Sequence, residues 1–338
     1  LINNKLNIMA FNITIDIYEL LNDIIFLILT ITVKYILFYS NDVNNDNINH
    51  NSISVNNYNL DAPNYHKKKI NDNLTYNGKS VAAQGTSFYL KEIGVLLDAG
   101  QDLGSKTTNV KLILITHKDA DHIKCICSHI LNSNHNPIIL CPNSLSNLLA
   151  EMISSFFKTV NNSIYDKWSN HCNIIGMEPN QTYNYVNNKS VIEIMTFKSY
   201  HGHTDCLAYG LSNITKGLKE EYKGLQSFEY ANLKKEGVII TEERKKPFLF
   251  FATDTTIDIF QNKDIFNYPN IMCECTLLYD KHKLEKRKHI HWNNLQPIIK
   301  EYHDNSFILF HFSEQYKEKE IIKFFENINL QNVRPYFI

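Results

Sequence analysis

The chain carries no surplus of charge of either sign: 34 lysines and arginines stand against 35 aspartates and glutamates, for a formal net charge of −1. That balance excludes binding to a polyanion through the field of the whole molecule, so any nucleic-acid contact must come from a local patch. The 7 cysteines are odd in number and none are spaced C-x-x-C. Neither a disulfide framework nor a zinc ribbon is indicated, and a reducing compartment, the cytoplasm, fits best. An uninterrupted apolar run of the roughly 20 residues that a spanning helix needs is also missing. The strongest candidate, residues 24–39, is broken by Lys34 and preceded by Asp23. Residues 1–39 therefore read as an apolar N-terminal segment, either a membrane anchor or a helix packed on the domain or a partner. No internal repeat of short period stands out. After residue 39 the composition turns rich in asparagine, with aspartate and serine and no apolar periodicity. Such a stretch cannot bury enough surface to offset its ordering entropy, so 40–75 is expected to be a flexible linker. The remainder, 76–338, suits a single enzyme-sized domain in a chain that is 43% hydrophobic.

What the sequence does have is ligand chemistry gathered at the ends of apolar runs. Residues 116–122 read Thr-His-Lys-Asp-Ala-Asp-His, packing His117, Asp119, Asp121 and His122 into one turn directly after the run 111–115. A short apolar run bounded by a polar turn reads as an interior strand. Four potential ligands at its mouth are costly to leave unpaired, and imidazole with carboxylate suits zinc or a similar divalent ion. A metal-dependent hydrolase is the expectation. Further strands are expected at 87–90, 94–98, 112–116, 138–141, 191–197, 208–211, 248–252, 271–274 and 307–310, all apolar with β-branched or aromatic residues. Helices fit at 121–131, 142–157, 292–302 and 317–328, the second with Pro142 near its first turn and the third capped from Asn293.

The spacing His-x-Asp-x-Asp-His resembles the His-x-His-x-Asp-His signature of the metallo-β-lactamase superfamily, and four more segments resemble that family's other motifs in order. Upstream, Gly94-Val-Leu-Leu-Asp-Ala-Gly looks like the first, a strand ending in Asp98 and a glycine turn. Downstream, Tyr200-His-Gly-His is similar to the third, and the register against Tyr209 selects His201 over His203. Pro247-Phe-Leu-Phe-Phe-Ala-Thr-Asp looks like the fourth, ending in Asp254, and Ile308-Leu-Phe-His like the last, delivering His311. The resemblance implies an α/β fold, the αββα four-layer metallo-β-lactamase sandwich. It also implies two divalent metal ions, zinc first with manganese or magnesium as alternatives, about 3.5–4 Å apart and holding a hydroxide that attacks the substrate. By the same resemblance His117, Asp119 and His201 would hold one metal, Asp121, His122 and His311 the other, and Asp254 would lie between. Asp121 would also orient the attacking water, and Asp98 would hold a ligand turn by hydrogen bonds. Asp119 departs from the family, which usually places histidine there, and its carboxylate makes the site harder and more tolerant of manganese or magnesium.

Within the superfamily, Cys273-Glu-Cys-Thr, then His289-Ile-His-Trp, then His311-Phe-Ser-Glu-Gln-Tyr follow in the order of three ribonuclease Z segments. That resemblance implies a phosphodiesterase or ribonuclease in which Glu274 orients His289, with His291 as rival, and the imidazole protonates the departing oxygen. Cys273 and Gln315 stand where ribonuclease Z has histidine and usually arginine, and no long Gly/Pro-rich arm lies between Asp121 and His201. The alternatives are a β-lactamase-like or lactone/thioester hydrolase, and a metal-binding scaffold with little turnover. The partners implied are RNA or a small phosphodiester, acyl substrates such as β-lactams for the alternative, a membrane surface for the N-terminal segment, and a second copy of the chain as a homodimer. Phosphate contacts fit the basic run 281–288, whereas the charged insertion 216–246 reads as a solvated loop or helix face. His135, His171, His203, His282 and His303 are expected to be solvent-exposed loop residues.

Overall fold

A computed structural model describes residues 69–338 except 189, 203, 204, 280–288, 329 and 338, all within the unit Asp61–Ile338. The apolar segment 1–39, the linker up to residue 68, the basic run 281–288, His203 and His282 lie outside the described residues. In chain order the strands are β1 Lys69–Asn71, β2 Leu74–Thr75, β3 Asn77–Val81, β4 Gly85–Leu90, β5 Val95–Leu97, β6 Leu112–Leu114, β7 Ile138–Pro142, β8 Asn173–Met177, β9 Thr182–Asn187, β10 Ser190–Lys198, β11 Leu207–Leu218, β12 Thr241–Ala252, β13 Asn270–Glu274, β14 Ser306–Phe310 and β15 Val333–Pro335. The helices are α1 Ala120–Ile123, α2 Ile126–Asn132, α3 Asn143–Val160, α4 Ser227–Lys235, α5 Trp292–Glu301 and α6 Glu318–Glu326.

Two sheets pack face to face, one ordered β3-β4-β5-β6-β7-β8 and the other β15-β14-β13-β12-β11-β10-β9. The central strands, such as β5, β6, β13 and β14, read as near-continuous apolar runs because both faces of each sheet are covered there. In β14 the alternation is plain: Ile308 and Phe310 join the layer between the sheets, with Phe88, Leu112 and Phe251, while Phe307 and Leu309 face the helices. On that outer side Trp292, Leu295 and Ile299 of α5 and Ile321 and Phe325 of α6 complete a second core. A third core forms where Ile126 and Ile130 of α2 and Leu145, Leu149, Ile153 and Phe157 of α3 cover the outer face of the first sheet. The result is the expected αββα sandwich.

Four sequence expectations change in detail. The folded domain begins by Lys69, ahead of residue 76, because β1 and β2 pair antiparallel and bury Ile70 and Leu74 in the inter-sheet core. The single helix expected over 121–131 is two, since the Cys125 amide donates to Ala99 O at 2.8 Å and the turn breaks there. The helix at 292 is capped by His291, whose Nδ1 accepts from the Asn293 amide at 3.0 Å, so Asn293 sits inside the first turn. The charged insertion 216–246 carries the expected solvated helix face in α4, which buries no residue, but its two ends are strand: β11 and β12 stay paired as far as Leu218 opposite Thr241. Polar side chains can line such an arm because its backbone hydrogen bonds, rather than an apolar face, hold it. Phe228 and Ile239 are exposed on it.

Candidate metal centre

The candidate ligands leave the carboxyl end of a strand or the turn or helix that follows one. β5 and β6 run parallel and deliver Asp98 and His117, and α1 follows with Asp121 and His122. β12, β13 and β14 run parallel in the other sheet and deliver Asp254, Glu274 and His311. His201 comes from the turn between β10 and β11. Parallel strands point their carboxyl ends to one edge, which is where open α/β folds collect ligands. Two of these residues hold left-handed backbone, Asp98 at φ 53 and His311 at φ 62. Such conformations are sparsely populated for residues with a Cβ and cluster at functional sites. Gly100 answers a tighter demand, since a Cβ there would lie 1.6 Å from the Asp121 carbonyl oxygen.

The structure brings all seven predicted ligand residues together. His117, Asp119 and His201 form one group, and Asp121, His122, Asp254 and His311 another, with the ligand atoms of each group within 4.8 Å of one another. Asp254 spans the two. Its Oδ1 lies 3.3 Å from His122 Nε2 and 3.1 Å from His311 Nε2, while its Oδ2 lies 3.9 Å from His117 Nε2 and 3.8 Å from His201 Nε2. Asp119 Oδ2 is 3.7 Å from His117 Nε2 and 3.4 Å from His201 Nε2, and Asp121 Oδ2 is 3.6 Å from His122 Nε2.

Hydrogen bonding behind the cluster fixes how its rings are presented. Asp98 is fully buried and accepts from the Thr116 amide at 2.8 Å, from Thr116 Oγ1 and from His122 Nδ1 at 2.8 Å. Having given its one proton to that carboxylate, the Thr116 hydroxyl must accept from His117 Nδ1 at 2.9 Å. Thr253 Oγ1 approaches the same hydroxyl at 2.8 Å. On the other side Thr276 donates to Glu274 and accepts from His311 Nδ1 at 3.0 Å. In the neutral form of each ring the Nε2 lone pair is therefore turned toward the shared space. His117 Nε2, His122 Nε2, His311 Nε2 and Asp254 Oδ1 are all buried there without a hydrogen bond. A buried acceptor left unsatisfied costs about 1–3 kcal/mol. Divalent cations satisfy all four at once, and the donor set of imidazole and carboxylate suits them. Burial, reinforced by the neighbouring His122, pushes the His117 pKa down to about 3 against the pull of Asp254 and Asp98, which keeps that ring neutral.

The rival histidines separate cleanly. His289 Nδ1 meets Glu274 Oε1 at 3.0 Å, and one ring nitrogen of His289 lies within 4.8 Å of ligand atoms on His201 and Asp254. Burial lowers the His289 pKa, but the charge of Glu274 and the hydrogen bond to it outweigh that and raise it to about 9. His291 instead caps α5. Cys273 is buried in the core under the helices with its thiol pushed up by burial, and Gln315 is exposed. His135 and His303 are exposed, whereas His171 is half-buried, bonded to Asp166 at 2.7 Å and stacked on Phe157. Sequence reasoning gave no role to Thr116, Thr253 or Thr276.

The αββα layers and this ligand set match the architecture that the motifs imply. No protein-family model matches the chain. It is 26% identical over 254 residues to tRNase Z TRZ1 of Arabidopsis thaliana, covering 72% of this chain and 87% of that protein. It is 24% identical to the chloroplastic tRNase Z TRZ2 of the same plant, covering 72% and 69%. Among solved structures it is similar to the metallo-β-lactamase fold protein YhfI of Bacillus subtilis, with a TM-score of 0.48 and 14% identity over 78% of this chain and 93% of that one. The long form RNase Z from yeast gives a TM-score of 0.42 and 15% identity over 78% and 38%. Among the described residues no helix is long and apolar enough to cross a membrane.

Proposed function

We propose that this tRNase Z-like chain of metallo-β-lactamase fold is a metal-dependent endoribonuclease, cleaving a phosphodiester bond of RNA, with transfer RNA precursors as the first substrate to try. The observation that carries this reading is the two-sided placement of Asp254, with one carboxylate oxygen turned to each group of ligands. His117, Asp119 and His201 would hold one divalent ion, Asp121, His122 and His311 the other, with Asp254 between and zinc as the first candidate metal. When bound, such a pair supplies Lewis acidity toward the phosphoryl oxygens and lowers the pKa of the attacking water.

The remaining work falls to the chain itself. Asp121, at the first turn of α1, orients that water as a hydrogen-bond acceptor. His289 stands beside His201 and Asp254 and donates a proton to the departing oxygen, its Nδ1 held by Glu274 so that Nε2 is free to act. Glu274 is fully buried and also takes the Thr255 amide at 2.7 Å, which fixes it beside Asp254. Asp98 and Thr116 keep His122 and His117 aimed inward.

The test is a substrate panel on the full chain with zinc or manganese: a transfer RNA precursor, single-stranded RNA, bis-p-nitrophenyl phosphate and nitrocefin. The RNA and the phosphodiester should be cleaved, chelation should abolish cleavage, and Asp254→Asn should lose both metal and turnover. Faster turnover of nitrocefin than of either RNA would overturn the proposal in favour of acyl chemistry.

A further inference from the structure

Glu274 accepts more hydrogen bonds than a partner for His289 alone requires. Its Oε1 takes the Thr255 amide at 2.7 Å and His289 Nδ1 at 3.0 Å. Its Oε2 takes the Thr276 amide at 3.3 Å and the Thr276 hydroxyl. A carboxylate offers about four lone-pair positions, so all are in use. The Thr276 hydroxyl has one proton, and an ionised carboxylate can only accept it. The contact between Thr276 Oγ1 and His311 Nδ1 at 3.0 Å then has one polarity, with the ring donating.

The other side of the cleft repeats the pattern. Asp98 binds His122 directly at 2.8 Å and reaches His117 through the Thr116 hydroxyl. Glu274 binds His289 directly and reaches His311 through the Thr276 hydroxyl. Each buried carboxylate thus governs two rings, one by contact and one through a threonine. The two sides differ in what they hold: both rings on Asp98 are candidate ligands, whereas Glu274 joins a candidate ligand to the candidate proton donor.

We propose that Thr276 is a positioning residue that anchors His311 to Glu274, so that one carboxylate sets both the metal-holding ring of β14 and the proton-donating ring of His289. The inference rests on the reading given under Proposed function and deepens it. Removal of His289 then leaves metal binding intact, while removal of the Thr276 hydroxyl releases His311 Nδ1 to rotate or to lose its proton. Loss of an outer partner of a metal-bound histidine typically weakens metal binding by about 10–100-fold.

The experiment measures metal binding apart from turnover, by competition between the full chain and a chromophoric chelator and by the absorption of the cobalt-loaded protein. Thr276→Val, nearly isosteric, should weaken one of two bound equivalents by about tenfold or more and alter the cobalt spectrum. Thr276→Ser should restore both, and His289→Ala should bind both equivalents as the wild type does. Should Thr276→Val not fold, Thr276→Ala carries the same expectation. Wild-type affinity for both equivalents in the valine variant, or failure of serine to restore them, overturns the inference while leaving the metal centre standing. A wild-type chain that binds no divalent ion at all sinks the proposed function itself.

Discussion

Replacing His289 with alanine separates proton donation from metal binding more sharply than any other single change. The ring is bound at Nδ1 by Glu274 at 3.0 Å, and its centroid lies 5.0 Å from that of His201 and 5.7 Å from that of His311. It therefore borders both ligand groups, and removing it takes away none of the seven candidate ligands. General acid catalysis contributes about 10²–10⁴-fold, or roughly 2.7–5.4 kcal/mol of barrier at 1.36 kcal/mol per tenfold. That contribution is needed only where the departing oxygen requires a proton. A sugar oxygen leaves poorly as an alkoxide, whereas p-nitrophenolate departs unaided near neutral pH. His289→Ala should accordingly lower kcat/KM on RNA by about two to four orders of magnitude, leave cleavage of bis-p-nitrophenyl phosphate within a small factor of wild type, and keep the metal content unchanged. The assay pairs steady-state rates on the two substrates with metal analysis after dialysis. An equal loss on both substrates would refute the proton-donor role. A loss of metal would make His289 a ligand.

Three further changes probe the surroundings. Asp119 has a side chain 40% exposed, the most open of the carboxylates in the cluster. Asp119→His supplies a neutral nitrogen ligand and should raise the ratio of zinc to manganese affinity by about tenfold; a ratio that stays put in competition titrations means that Asp119 does not ligate. Gly100→Ala forces a Cβ into the Asp121 carbonyl at 1.6 Å, so stability should fall by about 3 kcal/mol and metal affinity with it, as α1 is pushed off the strand ends. Equilibrium urea unfolding within error of wild type would contradict the close approach. His129 is buried, with Nε2 2.8 Å from Gln101 O, and burial lowers its pKa. Below the unfolded-state value of about 6.5 the unfolded chain takes up a proton that the folded chain refuses, so stability is present above that pH and is lost as pH falls toward the depressed folded value. His129→Gln, which cannot titrate, should be less stable at pH 8 yet lose less between pH 7 and 5 in thermal unfolding; parallel pH curves for the two proteins would exclude His129 from the acid response.

The candidate ligands were legible as a group because they end apolar runs, and a parallel strand presents its last residue at the sheet edge. His117 after Leu112–Leu114, Asp254 after the apolar half of β12 and His311 after β14 all follow from that local grammar. The hydroxyls that aim those ligands were not legible in the same way. Thr116 and Thr276 act across the chain, on Asp98 from 18 residues away and on His311 from 35, and a threonine two residues past a strand end is ordinary in sequence. The arm of β11 and β12 escaped for the opposite reason. Its strands carry no apolar alternation beyond Ile214, and the ladder runs on to Leu218 past a register shift between Leu211 and Ser212. The choice between His289 and His291 shows where pattern gives out and stereochemistry takes over. The two are alternate residues of one short segment, and no periodicity divides them. What divides them is that a helix beginning at Trp292 leaves an amide at Asn293 needing an acceptor, while the buried charge of Glu274 needs a donor. Two unmet backbone and side-chain demands, one on each side of Ile290, assign the two rings, and an interchange such as His291→Asn, which can still cap the helix, should cost little activity beside His289→Asn.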